Sequence, residues 1–242
     1  MNDERGAMNT FLTAEWRWLA MINYAIQPDV LRPLVPAGVE LDSFEGVTYM
    51  SVVGFLFLNT RVLGLPLPFH RDFEEVNLRF YVRERAPEGW RRGVVFVKEI
   101  VPKRAIAAVA RSVYGERYVR LPMRHRIEQP VVRYEWRIGR RWNWLEVRAQ
   151  GAPALPAPDS VEEFIAEHYW GYTARRDGRT SAYRVEHAPW RVWQVAECSL
   201  ECDVKALYGP GFADVLARPP QSAFLAEGSP VQVHRSRPAS AQ

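Results

Sequence analysis

Lysine is nearly absent from this chain. Of 32 basic residues only Lys98, Lys103 and Lys205 are lysines, so any amine chemistry has few places to sit. Cysteine is scarcer still. Cys198 and Cys202 make no disulfide framework, and four residues apart on one expected strand they are poorly placed to bridge each other. Reduced thiols and a cytoplasmic setting are therefore expected. No apolar run reaches the ~20 residues of a membrane-spanning helix, and the opening MNDERGAMNTF lacks the apolar core of a secretory signal. Blocks of like charge are missing too, and the net charge of +4 is spread over arginines that alternate with Glu and Trp. Neither a nucleic-acid partner nor a membrane is expected. The phosphate-cradling loops, the GxSxG elbow and zinc-type His/Cys spacings are not found, and the five histidines, at 70, 125, 168, 187 and 234, are scattered. No metal and no cofactor are expected.

What is present is aromatic mass and strand pattern. Nine Trp, ten Tyr and eleven Phe in 242 residues can fill a large core or line a ligand cavity. The length suits one domain, expected over residues 13–235, with a flexible leader at 1–12 and a disordered tail at 236–242. Residues 14–26 read as a strand with Trp16 and Trp18 on one face and Glu15 and Arg17 on the other. A short helix follows around 28–34. Residues 47–62 form a long apolar run whose Val, Tyr and Phe content and mid-run Gly54 suit a bent strand with a bulge. Residues 73–84 alternate: Val76, Leu78, Phe80 and Val82 face one way, Glu75, Asn77, Arg79 and Tyr81 the other.

Residues 93–123 are read as the organising stretch: a strand ending in Lys98-Glu99, a helix from about 106 to Tyr114-Gly115, and a tyrosine-bearing segment from Tyr118. A hairpin over 130–150 comes next. A helix is expected to start at the Asp159-Ser160 cap and run to about 170, with Val161, Phe164, Ile165 and His168 on one side. Further strands are expected at 180–186, 191–204, 222–225 and 230–234. Strands outnumber helices and do not alternate with them, which points to an α+β fold built on a mainly antiparallel sheet or barrel.

Polar side chains on apolar strands are the candidate chemistry. Arg17, the Glu75–Asn77–Arg79 face, and Lys98 in phase with Phe96 and Ile100 would meet in a low-dielectric cavity if those faces turn inward, and a lysine there would have a lowered pKa. The alternative is that they are ordinary surface charges. The aromatic clusters Tyr169-Trp170-Gly171-Tyr172 and His187-Ala188-Pro189-Trp190 either cap a cavity mouth or pack in the core.

Several stretches carry a family resemblance: WRWLAMINYAIQPDVLRPLVPAGVELDSFEG, FEEVNLRFYV, YWGYT and VEHAPWRVWQVAE. They are similar to the uncharacterised YqjF-like branch of the acetoacetate decarboxylase-like superfamily, over roughly residues 13–235. The resemblance implies a closed, mainly antiparallel β-barrel with a few flanking helices and a central pocket. In the decarboxylases of that superfamily one of two adjacent lysines forms a Schiff base. Arg17 matches their first-strand arginine and Glu75 a glutamate, but Tyr118 and Val119 stand where the lysines would be. A phenol makes no imine. The resemblance therefore implies a small-molecule-binding barrel for a carboxylate or ketone, without authentic acetoacetate decarboxylase activity. Its alternative is an enzyme in which Arg17 holds a carboxylate, Glu75 moves a proton and Tyr118 polarises a carbonyl, or in which Lys98 is a relocated amine. The expected pocket residues are Arg17, Glu75, Asn77, Lys98, Tyr114 and Tyr118. Members of the superfamily often self-associate, which leaves a homo-oligomer open.

Overall fold

The computed structural model describes residues 10–66, 70–103, 117–175 and 177–239. The expected helix near 106–115, and Tyr114 with it, lie outside the described residues.

Seven strands close a barrel. They are β1 (Thr10–Ala25), β3 (Tyr49–Val62), β5 (Phe73–Ala86), β6 (Gly89–Val101), β11 (Trp170–Ala174), β12 (Thr180–His187) and β14 (Ser222–His234). They pair in the order β14-β1-β3-β5-β6-β11-β12, and β12 returns to β14 through Val185–His187 against Val231–Val233. All these pairings are antiparallel except β6–β11, where Trp170 and Gly171 run parallel to Gly93 and Val94. A second wall continues from β14: β13 (Val192–Glu201), β10 (Arg141–Ala154), β9 (Val131–Ile138) and β8 (Met123–Glu128). Tyr134, Trp136, Leu145 and Val147 of that wall pack on the outer faces of β1, β3 and β5.

Two layers against one barrel explain the sequence pattern. β5 is covered on both sides, so Val76, Leu78, Phe80 and Val82 meet the outer core while Glu75, Asn77, Arg79 and Tyr81 point the other way and are buried as well. β3 reads as nearly continuous apolar sequence for the same reason. Gly54 serves close approach: a Cβ there would stand 2.6 Å from Tyr134 Cδ2. The extra residue in β3 falls instead near Asn59, whose φ is 54°.

Two irregularities decide which side chains enter the barrel. In β1 the pairing with β3 shifts between Arg17 and Ala20, and Trp18 has a φ of 58°. A bulge of this kind places two successive residues on one side. Trp16 therefore faces inward, whereas Trp18 stacks on Trp193 in the outer core at 5.6 Å. In β6 the register against β5 shifts at Val97, because Leu78 pairs with Lys98 but Arg79 pairs with Phe96. Glu99, not Lys98, then continues the phase of Phe96.

The expected helix after Ser160 is shorter than its pattern suggests. α2 spans Val161–Ala166, with the Ser160 side chain accepting from the Glu163 amide at 3.2 Å, and it stops at Glu167. Trp-Gly-Tyr-Thr, rich in strand-forming residues, joins the sheet as β11. Phe164, Ile165, Ala166 and His168 close this end of the barrel against Tyr49 and Tyr81. The earlier short helix is α1 (Pro28–Leu31), followed by a 3₁₀ turn, and the strands expected at 222–225 and 230–234 are one strand, β14.

Candidate functional site

The barrel encloses a cavity of about 100 Å³. Its apolar wall is strongly aromatic. Trp16 meets Phe55 and Phe57 edge-on at 5.3 and 5.7 Å, Phe57 stacks on Phe73 at 4.7 Å, and His187 stacks on Trp190 at 4.1 Å.

Polar groups enter this wall from β5 and β6. Glu75, Asn77 and Arg79 are consecutive inward positions on β5, and Glu99 lies opposite Asn77 on β6. All four are buried. Asn77 Nδ2 donates to Glu75 Oε1 at 3.0 Å. Tyr118, carried by β7 (Tyr118–Arg120) in parallel pairing with Glu99–Val101, donates its hydroxyl to Glu75 Oε2 at 3.3 Å.

Arg79 is the unusual member. Its Nη2 donates to the Ile165 carbonyl at 3.4 Å and approaches Met21 Sδ at 3.9 Å, and its guanidinium stands 5.7 Å from the Tyr81 ring. Among the described residues no carboxylate lies within 4.0 Å of it, and Nε has no hydrogen-bond partner. A guanidinium does not shed its proton at any ordinary pH. Arg79 is therefore a buried, permanent cation on a cavity wall, held by a carbonyl and a ring.

Two neutral histidines accompany it. Burial holds His187 down to about 4, aided by the Arg79 charge and opposed by its contact with the Ala188 carbonyl. His187 Nδ1 lies 2.9 Å from that carbonyl oxygen, so Nδ1 carries the proton and Nε2 the lone pair. Burial also holds His168 down to about 4, with Arg92 and Arg79 adding to the effect and Asp42 opposing it. His168 Nε2 stands 3.5 Å from Asp42 Oδ2. Burial would raise the Asp42 carboxyl, but His168 and Arg92, the latter at 2.8 Å, outweigh it and hold Asp42 down to about 2.

The expected pocket residues divide. Glu75, Asn77 and Tyr118 share the cavity. Arg17 does not line it: on the opposite side of β1 from Trp16, it donates to Glu15 at 2.7 Å and to the Gly228 carbonyl at 3.3 Å. Lys98 is turned away by the Val97 irregularity and donates to the carbonyl of Leu207, at the end of α3 (Val204–Leu207). Burial lowers its pKa, with help from Arg117. Lys103 and Lys205 also lie off the cavity, so none of the three lysines lines it. The clusters around Trp170 and His187 do contribute, through Trp170, Gly171, His187 and Trp190. Glu99 was hidden by the bulge. Arg79 and His168 had the right periodicity but no motif to single them out. Among the described residues, no group of three or more His, Cys, Asp or Glu side chains is arranged to hold a metal, and no helix is long and apolar enough to cross a membrane.

A family of uncharacterized conserved proteins, DUF2071, matches residues 13–230. The chain belongs to this family. It is 27% identical over 182 residues to the uncharacterized protein YqjF of Bacillus subtilis, covering 72% of each chain. Among solved structures it is similar to acetoacetate decarboxylase from Legionella pneumophila, with a TM-score of 0.70 and 13% identity over 95% of this chain and 87% of that one. It is also similar to the enduracididine biosynthesis enzyme MppR complexed with pyruvate, with a TM-score of 0.66 and 12% identity over 95% and 90%. At these identities the likeness is one of fold, and it agrees with the closed barrel of this DUF2071 chain.

Proposed function

We propose that this DUF2071 protein binds a small organic carboxylate in its barrel, with Arg79 as the anion's partner, and does so without amine chemistry. The observation that carries the reading is the Arg79 guanidinium, buried on an aromatic cavity wall with no carboxylate within 4.0 Å among the described residues. Burying an unpaired charge costs several kcal/mol, and an anion entering the cavity offsets that cost with charge-assisted hydrogen bonds. The position of all three lysines off the cavity supports the absence of a Schiff base. A second reading, an enzyme using Glu75 and Tyr118 as a proton-transfer pair, is supported by their 3.3 Å contact.

Thermal-shift titration with small carboxylates tests the first reading. A carboxylate should raise the melting temperature of the native protein, and Arg79→Met should abolish the rise. A rise that survives in Arg79→Met sinks the assignment. Borohydride trapping with keto acids should label no lysine, and a labelled lysine restores amine chemistry. Turnover of a bound carboxylate that Tyr118→Phe abolishes, with binding intact, would favour the second reading.

A further inference from the structure

The cavity's unsatisfied groups describe the ligand more closely than its charge alone. Three features converge. The first is size and shape. An apolar cavity of about 150 Å³ accommodates a benzene ring, and a cavity of about 100 Å³ walled by indole and phenyl faces is of that order. Flat rings pack edge-on or offset against such walls at centroid separations of about 4.5–7 Å.

The second feature is a pair of donors without acceptors. Arg79 Nε and Trp16 Nε1 are both buried on lining side chains, and neither has a protein partner among the described residues. A carboxylate oxygen would satisfy either donor.

The third feature is an acceptor without a donor. Glu75 takes the Asn77 amide through Nδ2, and a carboxylate in that position only accepts, so the amide is oriented with Oδ1 away from Glu75. Asn77 Oδ1 is buried and has no partner among the described residues. His187 Nε2 adds a second lone pair, because Nδ1 is committed to the Ala188 carbonyl. Asn77 and Arg79 are two residues apart on one face of β5, which puts their backbones ~6.7 Å apart. A para-substituted benzene ring separates its substituents by a similar distance.

We infer that the ligand is a single-ring aromatic carboxylate bearing a hydroxyl or amino donor across the ring, with the carboxylate on Arg79 and the donor on Asn77 Oδ1. The inference rests on the cavity-binding reading above and narrows its ligand class.

The test uses the full-length protein and four probes in calorimetric titration: 4-hydroxybenzoate, 4-methoxybenzoate, 4-hydroxybenzyl alcohol and acetoacetate. 4-Hydroxybenzoate should bind tightest. The methoxy compound keeps ring and charge but has no donor, and it should bind about tenfold more weakly, the worth of one hydrogen bond. The benzyl alcohol lacks the anion and should show no measurable binding. Asn77→Leu should bring the hydroxy and methoxy acids to equal affinity. If acetoacetate binds as well as the aromatic acids, and Arg79→Met abolishes its binding, the aromatic assignment is overturned while the carboxylate reading stands. A methoxy acid equal to the hydroxy acid on the native protein overturns the role of Asn77, even if the Asn77 variant fails to fold. Binding of none of the four overturns both inferences.

Discussion

Replacing Arg79 with methionine should make the unliganded protein more stable while it loses its ligand. The change removes a buried guanidinium that lacks a counter-ion among the described residues and puts an unbranched apolar chain of similar reach in its place. Three terms set the balance. The Nη2 bond to the Ile165 carbonyl is long, at 3.4 Å, and its loss costs at most about 1.5 kcal/mol. The Tyr81 ring lies 5.7 Å from the guanidinium, near the outer limit of cation–π attraction, and contributes no more than about 1 kcal/mol. Against these stands relief from desolvating an unpaired ion, which is several kcal/mol, and buried charges replaced by well-packed apolar groups commonly yield about 1–4 kcal/mol. The net expectation is a gain of about 1–3 kcal/mol. For a domain of this length that raises the melting temperature by roughly 2–12 °C. Chemical denaturation in urea should report the same gain as a higher midpoint with an unchanged slope. A variant that melts several degrees below the native protein, at unchanged slope, would refute the reasoning. Arg79 would then stabilise the folded chain by itself, and its freedom from carboxylates would say nothing about a ligand.

Acid should destabilise the protein in two stages. His168 and His187 both have folded pKa values of about 4, below the ordinary 6.5, so the unfolded chain binds more protons between those values and stability falls as pH drops from 6.5 to 4, by about 3 kcal/mol for each. Asp42, held down to about 2, keeps its contribution above pH 3.8 and loses it as pH falls towards 2. Urea midpoints from pH 7 to 2.5 check both stages, and His168→Gln should flatten about half of the first, His187 carrying the rest; an unaltered slope in that variant removes His168 as a source. Gly228→Ala should cost more than about 3 kcal/mol, because φ is +82° and a Cβ would come 1.9 Å from the Trp16 carbonyl oxygen; circular-dichroism melts would expose a tolerated substitution. Ser51→Ala should cost about 2–4 kcal/mol, since Ser51 Oγ links Asn23 Oδ1 and Tyr81 OH at 2.6 Å each and its removal leaves both without that contact in the core; a loss below 1 kcal/mol would show that the core rearranges around them.

Much of the barrel was legible in the chain because alternation survives wherever strands are regular. β5 is the best case: its two faces divide as the pattern of residues 73–84 indicates, and the polar face is the one that meets the cavity. The family resemblance supplied closure, which periodicity alone does not encode. The site was harder to read, and two single residues explain most of the difference. Alternation carried through Val97 puts Lys98 beside Phe96, whereas the irregularity there puts Glu99 in that place. Alternation carried through Trp18 keeps both tryptophans on one face, and the bulge sends them to opposite cores. Bulges depend on pairing with neighbouring strands, and nothing in the local composition around Trp18 or Val97 announces them. The helix after Ser160 ended early for a related reason: Trp170–Ala174 gains partners on both sides in the sheet, which a short-range helical pattern does not register.

The bulge at Trp18 has a companion. Gly228, directly across β14 from Arg17, also has a positive φ, so β1 and β14 kink side by side and stay in register through the kink. A chain that lost Trp18 alone would throw β1 out of step with β14, and one that lost Gly228 alone would do the reverse. Only the paired deletion restores the match. In the evolutionary history of this barrel the two positions, 210 residues apart in sequence, should therefore be gained and lost together, as one event written in two places.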